Sequence, residues 1–172
     1  GVIVRDVAIT VTELLADAAT TTVTDEAQSD LTTGLNGDIV LIATFGNITL
    51  NDGADTDGEA VNANGSGRVR IDAVAGSLTA NADILSGTGI LTLKAAVDVE
   101  LTAGVDVVSA ADISIDAETG ALTMDGTANV EATGASARLA AALDLTVGNV
   151  TAANVSLFSG ENVVNATGSS KN

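Results

Sequence analysis

The chain has no cysteine, histidine, proline, tryptophan or tyrosine, and only one methionine and two phenylalanines, Phe45 and Phe158. Without cysteine it has no disulfides and no thiolate ligands. Without histidine as well, zinc fingers, catalytic triads and the commonest general base are excluded. Basic residues are scarce, six against 23 acidic ones in 172 residues, giving a net charge of −17. Six scattered cations do not make a nucleic-acid footprint, so no nucleic-acid partner is expected. No apolar run approaches the ~20 residues of a membrane span. The length suits one domain. The core must be built from Val, Ile, Leu and Ala, which with the other hydrophobic residues make up 46% of the chain.

A pI near 4.1 describes a soluble, self-repelling surface. It suits an extracellular, cell-surface or high-salt setting. The chain opens Gly1-Val2-Ile3-Val4, with no basic leader segment, and reads as a mature product or a piece of something longer.

The strongest signal is a repeat. Ile39–Ala43, Val69–Ala73, Leu91–Ala95, Ile113–Ala117, Ala137–Ala141 and Val155–Ser159 align, with centres at 41, 71, 93, 115, 139 and 157. Each alternates with period two, the pattern of a strand with one buried face. Three columns point inward. The third is Ala43, Ala73, Ala95, Ala117, Ala141 and then Ser159, a corner with room for a methyl group. A second strand follows in each repeat, around Ile48-Thr49, Leu78-Thr79, Leu101-Thr102, Leu122-Thr123 and Leu145-Thr146. A third contains Val61, Ile84, Val105 with Val107, Val130 and Val150. Three short strands in about 22 residues predict one coil of an all-β parallel β-helix, or β-solenoid. A β-sandwich would want core aromatics, hairpin turns and some proline.

Residues 37–172 carry these repeats, with a shortened C-terminal coil. Residues 1–36 fit the register poorly and are expected to be an N-terminal cap or an irregular first coil. Val7–Thr12 alternates like a strand. Glu13–Gln28 suits either a short helix over the solenoid end or more irregular coil, since open solenoid ends need cover.

Gly-x-(Leu/Ile)-Thr strands, Asp112-Ile-Ser-Ile-Asp-Ala117, Gly89-Ile-Leu-Thr-Leu-Lys-Ala95 and Asp98-Val-Glu-Leu-Thr-Ala103 resemble the degenerate repeats of filamentous-haemagglutinin-type exoproteins. The resemblance covers residues 37 to about 167. It implies a right-handed parallel β-helix shaft, an adhesin stalk or an extracellular fibre. Its motifs are compositional, so no binding residue carries over.

Four surface features are candidates for function. Asp72, Lys94 and Asp116 follow the second inward column and form an outward ladder of alternating charge. Such a row supports either a polysaccharide-cleaving site or a plain ion-pair ladder. With no aromatic sugar platform, no catalytic residue is expected. Arg68, Arg70, Lys94 and Arg138 lie on or beside this face, which suits lateral contact between rods. Thr49, Thr79, Thr102, Thr123 and Thr146 form an outward threonine ladder, either an ice-binding file or ordinary exposed strand. Asp52, Asp55, Asp57 and Glu59 lie in an insertion and offer oxygen ligands for calcium, although their spacing is not that of an EF-hand. Asn64, Asn47, Asn149, Asn154 and Asn165 begin Asn-x-Ser/Thr sequons.

The expected function is a rod-like segment or subunit of a cell-surface fibre, filament or adhesin stalk that self-associates end to end or laterally. The alternative is a surface module on the same scaffold that binds a glycan, a receptor or ice. No enzyme activity is expected, and no cofactor beyond calcium.

Overall fold

A computed structural model describes residues 2–4, 9–14, 20–25 and 30–167, with side chains described for 30–167. The chain is all-β, with no helix among the described residues. In chain order the strands are β1 (Val2–Val4), β2 (Ile9–Leu14), β3 (Thr20–Asp25), β4 (Leu31–Thr33), β5 (Ile39–Ala43), β6 (Ile48–Leu50), β7 (Glu59–Ala63), β8 (Val69–Ala73), β9 (Leu78–Ala80) and β10 (Asp83–Ser86). They continue as β11 (Leu91–Ala95), β12 (Val99–Leu101), β13 (Asp106–Ser109), β14 (Ile113–Ala117), β15 (Leu122–Met124), β16 (Asn129–Ala141), β17 (Leu145–Val147), β18 (Asn149–Ser159) and β19 (Val163–Asn165).

Among the described residues all pairings except one are parallel, and each parallel pairing joins strands one repeat apart in the chain. Three ladders result. Ladder one runs β5, β8, β11, β14, then the C-terminal halves of β16 and β18. Ladder two runs β1, β6, β9, β12, β15, β17, β19. Ladder three runs β4, β7, β10, β13, then the N-terminal halves of β16 and β18. Because β16 and β18 pass through both, ladders one and three form one ten-stranded sheet.

Period two explains the core. In ladder one, Ile39, Val69, Leu91, Ile113, Ala137 and Val155 share one register position, and Leu41, Ile71, Leu93, Ile115, Leu139 and Leu157 another. The alanines at 43, 73, 95, 117 and 141 stack as the sequence predicts, with Ser159 last. All five are buried. Ladder three aligns Leu31, Val61, Ile84, Val107, Val130 and Val150. Val105 lies just before β13, also buried. Apolar side chains from all three ladders form one core cluster; its burial is the main stabilising term.

The corners are tight. A Cβ on Gly89 would lie 1.9 Å from the Gly67 carbonyl oxygen, so the backbones of successive repeats touch where glycine leaves room. Beside them Ser86 Oγ lies 2.8 Å from both Gly67 O and Gly89 O, and Ser109 Oγ donates to Gly89 O at 2.7 Å. Buried hydroxyls are thus satisfied by carbonyls of neighbouring repeats.

The N-terminal segment differs from a helical cap. β1 extends ladder two and β4 extends ladder three, each in register with the following repeat. Between them β2 and β3 form an antiparallel pair, Ile9 opposite Asp25 and Leu14 opposite Thr20. The run Thr20-Thr21-Thr22-Val23-Thr24 is β-branched throughout, which disfavours helix and favours strand. Val7, Ala8, residues 15–19 and residues 26–28 lie outside the described residues. Residues 51–58 of the insertion leave the stack at the same corner, between β6 and β7, and Glu59 already belongs to β7.

Candidate functional site

The outward surface of ladder one carries Arg70, Lys94 and Arg138, three of the four cations among the described residues. Asp72, Lys94 and Asp116 occupy one register position, between Ile42 on one side and Ala140 and Phe158 on the other. Their ion pairs run to other partners. Arg70 Nη2 lies 2.8 Å from Asp72 Oδ2, Lys94 Nζ 2.8 Å from Glu118 Oε1, and Arg138 Nη1 3.1 Å from Asp116 Oδ2. Arg70 folds back along its own strand and leaves Asp72 only 5% exposed. The Lys94 ammonium is held above its ordinary pKa by the Glu118 hydrogen bond, and the charges of Glu118, Asp72 and Asp116 add to it. The Lys94–Glu118 and Arg138–Asp116 pairs are exposed or half-exposed, each worth under ~1 kcal/mol.

The threonine row has a different membership. Thr49, Thr79, Glu100, Thr123, Thr146 and Val164 share one register position. Thr102 stands outside it, with its N–H donating to Ala80 O at 3.0 Å and its hydroxyl at 3.1 Å. Corner length explains the shift. Placing Val99 opposite Leu78 leaves three corner residues after Ala95, as Leu145 does after Ala141; placing Leu101 there would leave five. A charge therefore sits inside the row, and Val164 ends it.

In the insertion, Asp55 and Asp57 converge with Asp30, which precedes β4. Carboxylate oxygens of these three lie within 4.8 Å of one another. Asp30 Oδ1 also accepts the Gly53 N–H at 3.1 Å. Burial raises the pKa of Asp30, and the charges of Asp55 and Asp57 raise it further. Asp52 and Glu59 are not in this group. Asp52 Oδ1 is buried without a hydrogen-bond partner, and Glu59 Oε2 accepts from Asn62 Nδ2 at 2.7 Å. Three oxygens would supply half or less of the six to eight that calcium takes. Asp30 was not legible as a member, since it lies 25 residues from Asp55 in the chain.

All five sequon asparagines are exposed. Three are engaged. Asn47 Oδ1 accepts the Ser77 N–H at 3.0 Å, Asn165 Oδ1 accepts from Thr167, and Asn149 Nδ2 lies 3.4 Å from Gly126 O. Asn64, in the turn before β8, and Asn154, in β18, present their amides to solvent.

A further set of acids has a structural task. Asp38, Asp83, Asp98, Asp112 and Asp144 each accept, through Oδ1, a backbone N–H of the next repeat: those of Arg68, Asp106, Ala121, Ser136 and Asn162, at 2.8–3.1 Å. The N–H groups lie at or beside corners, where the ladders give them no carbonyl. Part of the acidity is thus spent on holding corners rather than on solubility.

Compared with protein-family models, curated proteins and solved structures, the chain matches none. The resemblance to filamentous-haemagglutinin-type repeats therefore rests on the repeat motifs themselves. Among the described residues no helix is long and apolar enough to cross a membrane.

Proposed function

We propose that the chain is an extracellular structural element, a rod-like segment or subunit of a cell-surface fibre, filament or adhesin stalk. The observation that carries this reading is the continuous stacking of the three parallel ladders from β5 to β18, with register shifts at Asp83/Ile84 and between Ala132 and Ser136. Read as a right-handed β-solenoid of about 22 residues and three strands per coil, the ladders stack coils ~4.8 Å apart, so six coils span roughly 29 Å. Each coil buries its surface mainly against its neighbours, so stability is close to additive along the axis. The acidic surface keeps such rods apart until particular ends or faces meet.

Labelling of intact cells tests the location. A membrane-impermeant amine reagent should modify the chain at its two lysines, Lys94 and Lys171, while a cytosolic control protein stays unmodified. Protection of the chain in intact cells, with modification only after lysis, would overturn the reading.

A further inference from the structure

Asparagine is followed by glycine twice in the chain, as Asn36-Gly37 and Asn64-Gly65. Such a pair can modify itself, because the backbone nitrogen of the second residue can attack the side-chain amide carbon of the first. Glycine has no Cβ to obstruct that approach. The fold sets the two pairs against each other in consecutive repeats, in the turns that lead into β5 and β8. Asn36 Oδ1 accepts the Ser66 N–H at 2.9 Å, and Gly65 lies so close to the same oxygen that a Cβ would collide with it.

The two turns hold their pairs differently. In the first, both reacting groups are engaged. The Gly37 N–H donates to Gly34 O at 3.3 Å, and the Asn36 amide oxygen is taken up by Ser66. The Thr33 hydroxyl fastens the same turn, donating to Gly37 O at 2.7 Å. In the second pair both reacting groups are free. Asn64 is exposed, and among the described residues neither its side-chain amide nor the Gly65 N–H has a hydrogen-bond partner. The turn is held instead through groups that take no part in ring closure: Asn64 N–H donates to Thr33 O at 3.3 Å, Gly67 N–H to Asn64 O at 3.2 Å, and Thr88 N–H to Gly65 O at 2.6 Å. Asn64 and Gly65 also line an open groove with Asn62, Leu85, Gly87 and Val108, so the amide has room to turn.

We propose that Asn64 is a self-modification site, at which the folded chain deamidates through a succinimide formed with Gly65. The Gly65 nitrogen bonds to Asn64 Cγ, the Cγ–Nδ2 bond breaks, and the proton from the Gly65 nitrogen leaves with the amide as ammonia. Water then opens the ring, with no change of oxidation state. Opening at the side-chain carbonyl gives aspartate; opening at the Asn64 main-chain carbonyl gives isoaspartate. Either product adds a negative charge to the −17 of the chain. Isoaspartate also lengthens the main chain by a methylene, inside a turn whose bonds are shared between repeats. The Thr88 N–H on Gly65 O, the Ser66 N–H on Asn36 and the buried Ser86 hydroxyl on Gly67 O all lie within three residues of the change. Modification therefore loosens the corner between β7 and β8 as the chain ages. This goes beyond the rod reading and does not depend on it.

Peptide mapping by mass spectrometry tests this on the full chain, aged in warm, mildly alkaline buffer with and without denaturant. Circular dichroism checks that the chain without denaturant stays folded. Cleavage after glutamate separates the two pairs, because Glu59 lies between them. In the folded chain Asn64 should convert several-fold faster than Asn36, and in denaturant the two should convert at similar rates. Enzymatic methylation of the new carboxylate should mark isoaspartate in the Asn64 peptide. Trypsin should then cut after Arg68, in the same turn, faster in the aged chain than in the fresh one. Asn64→Gln, whose longer side chain would have to close a larger ring, should keep the fresh cutting rate after ageing. Conversion of Asn36 as fast as Asn64 in the folded chain, or an Asn64 that converts only in denaturant, would overturn the site. Equal trypsin cutting of fresh and isoaspartate-bearing chains would overturn the loosening of the corner.

Discussion

Asp112 accepts the backbone N–H of Ser136 through Oδ1 at 2.9 Å, so a side chain in one repeat fastens the backbone of the next. Asp38, Asp83, Asp98 and Asp144 make the same kind of link. Replacing Asp112 with Ala should cost about 1 kcal/mol, the usual net worth of one hydrogen bond. Asp112→Asn keeps an acceptor and should recover most of it. Chemical denaturation of the two variants gives the comparison; equal stability of Ala and wild type would show that water replaces the carboxylate without loss.

Stability should rise on mild acidification. The Asp83 carboxyl is raised above its ordinary value of 3.8, by burial first and then by the charges of Asp106, Glu59 and Asp52, against the lowering effect of the Asp106 N–H. Asp30 is raised by burial and by Asp55 and Asp57. The folded chain therefore takes up these protons before the unfolded chain does. Stability increases as pH falls through the folded pKa values towards 3.8, and the gain is complete below it. Asp125 is lowered by its hydrogen bonds from Thr127, so its contribution is lost only below 3.8. Melting temperature should climb from pH 7 towards pH 4, and Asp83→Asn should flatten the climb. Asp30→Asn should raise the melting temperature at pH 7, since it keeps the acceptor for Gly53 and removes one of three crowded charges. A fall in that variant would mean that a bound cation already neutralises the group.

The core column should resist change in both directions. Leu93 is fully buried, and Leu93→Ala should cost about 2–5 kcal/mol through the cavity it leaves. Ala95 is fully buried between Ala73 and Ala117, and Ala95→Leu should cost about 1–3 kcal/mol through overpacking. Thermal unfolding of the two variants checks this. A neutral Ala95→Leu would mean that the corner has space the fold does not show.

Gly89→Ala should be as damaging as a core change, although the residue it adds is small. Its Cβ would meet the Gly67 carbonyl oxygen at 1.9 Å, and a backbone atom cannot swing aside as a side chain can. The neighbouring repeats must separate locally, at about 1–3 kcal/mol. Gly34→Ala, with nothing within 4 Å of the added carbon, is the control and should change little.

Ladder one was legible because its strands are long enough to show period two and because five alanines mark one position. Ladder two was legible as strands, and in register everywhere except at β12. Val99 and Leu101 both face inward, so alternation alone permits either alignment, and corner length chooses Val99. The N-terminal segment was ambiguous because 1–36 holds β1 and β4 far apart around the β2–β3 pair. Asp30 joins Asp55 and Asp57 only through the stacking of consecutive repeats, which no local pattern encodes. The corner aspartates looked like solubilising charge because their partners are backbone groups 18 to 30 residues away.

Immunogold electron microscopy on intact cells, with antibodies raised against the folded chain, tests the central claim most directly. The account predicts gold along thin filaments or stalks projecting from the cell surface, absent from cells lacking the chain. Gold confined to the cell interior, or scattered over the surface away from any fibre, would contradict it.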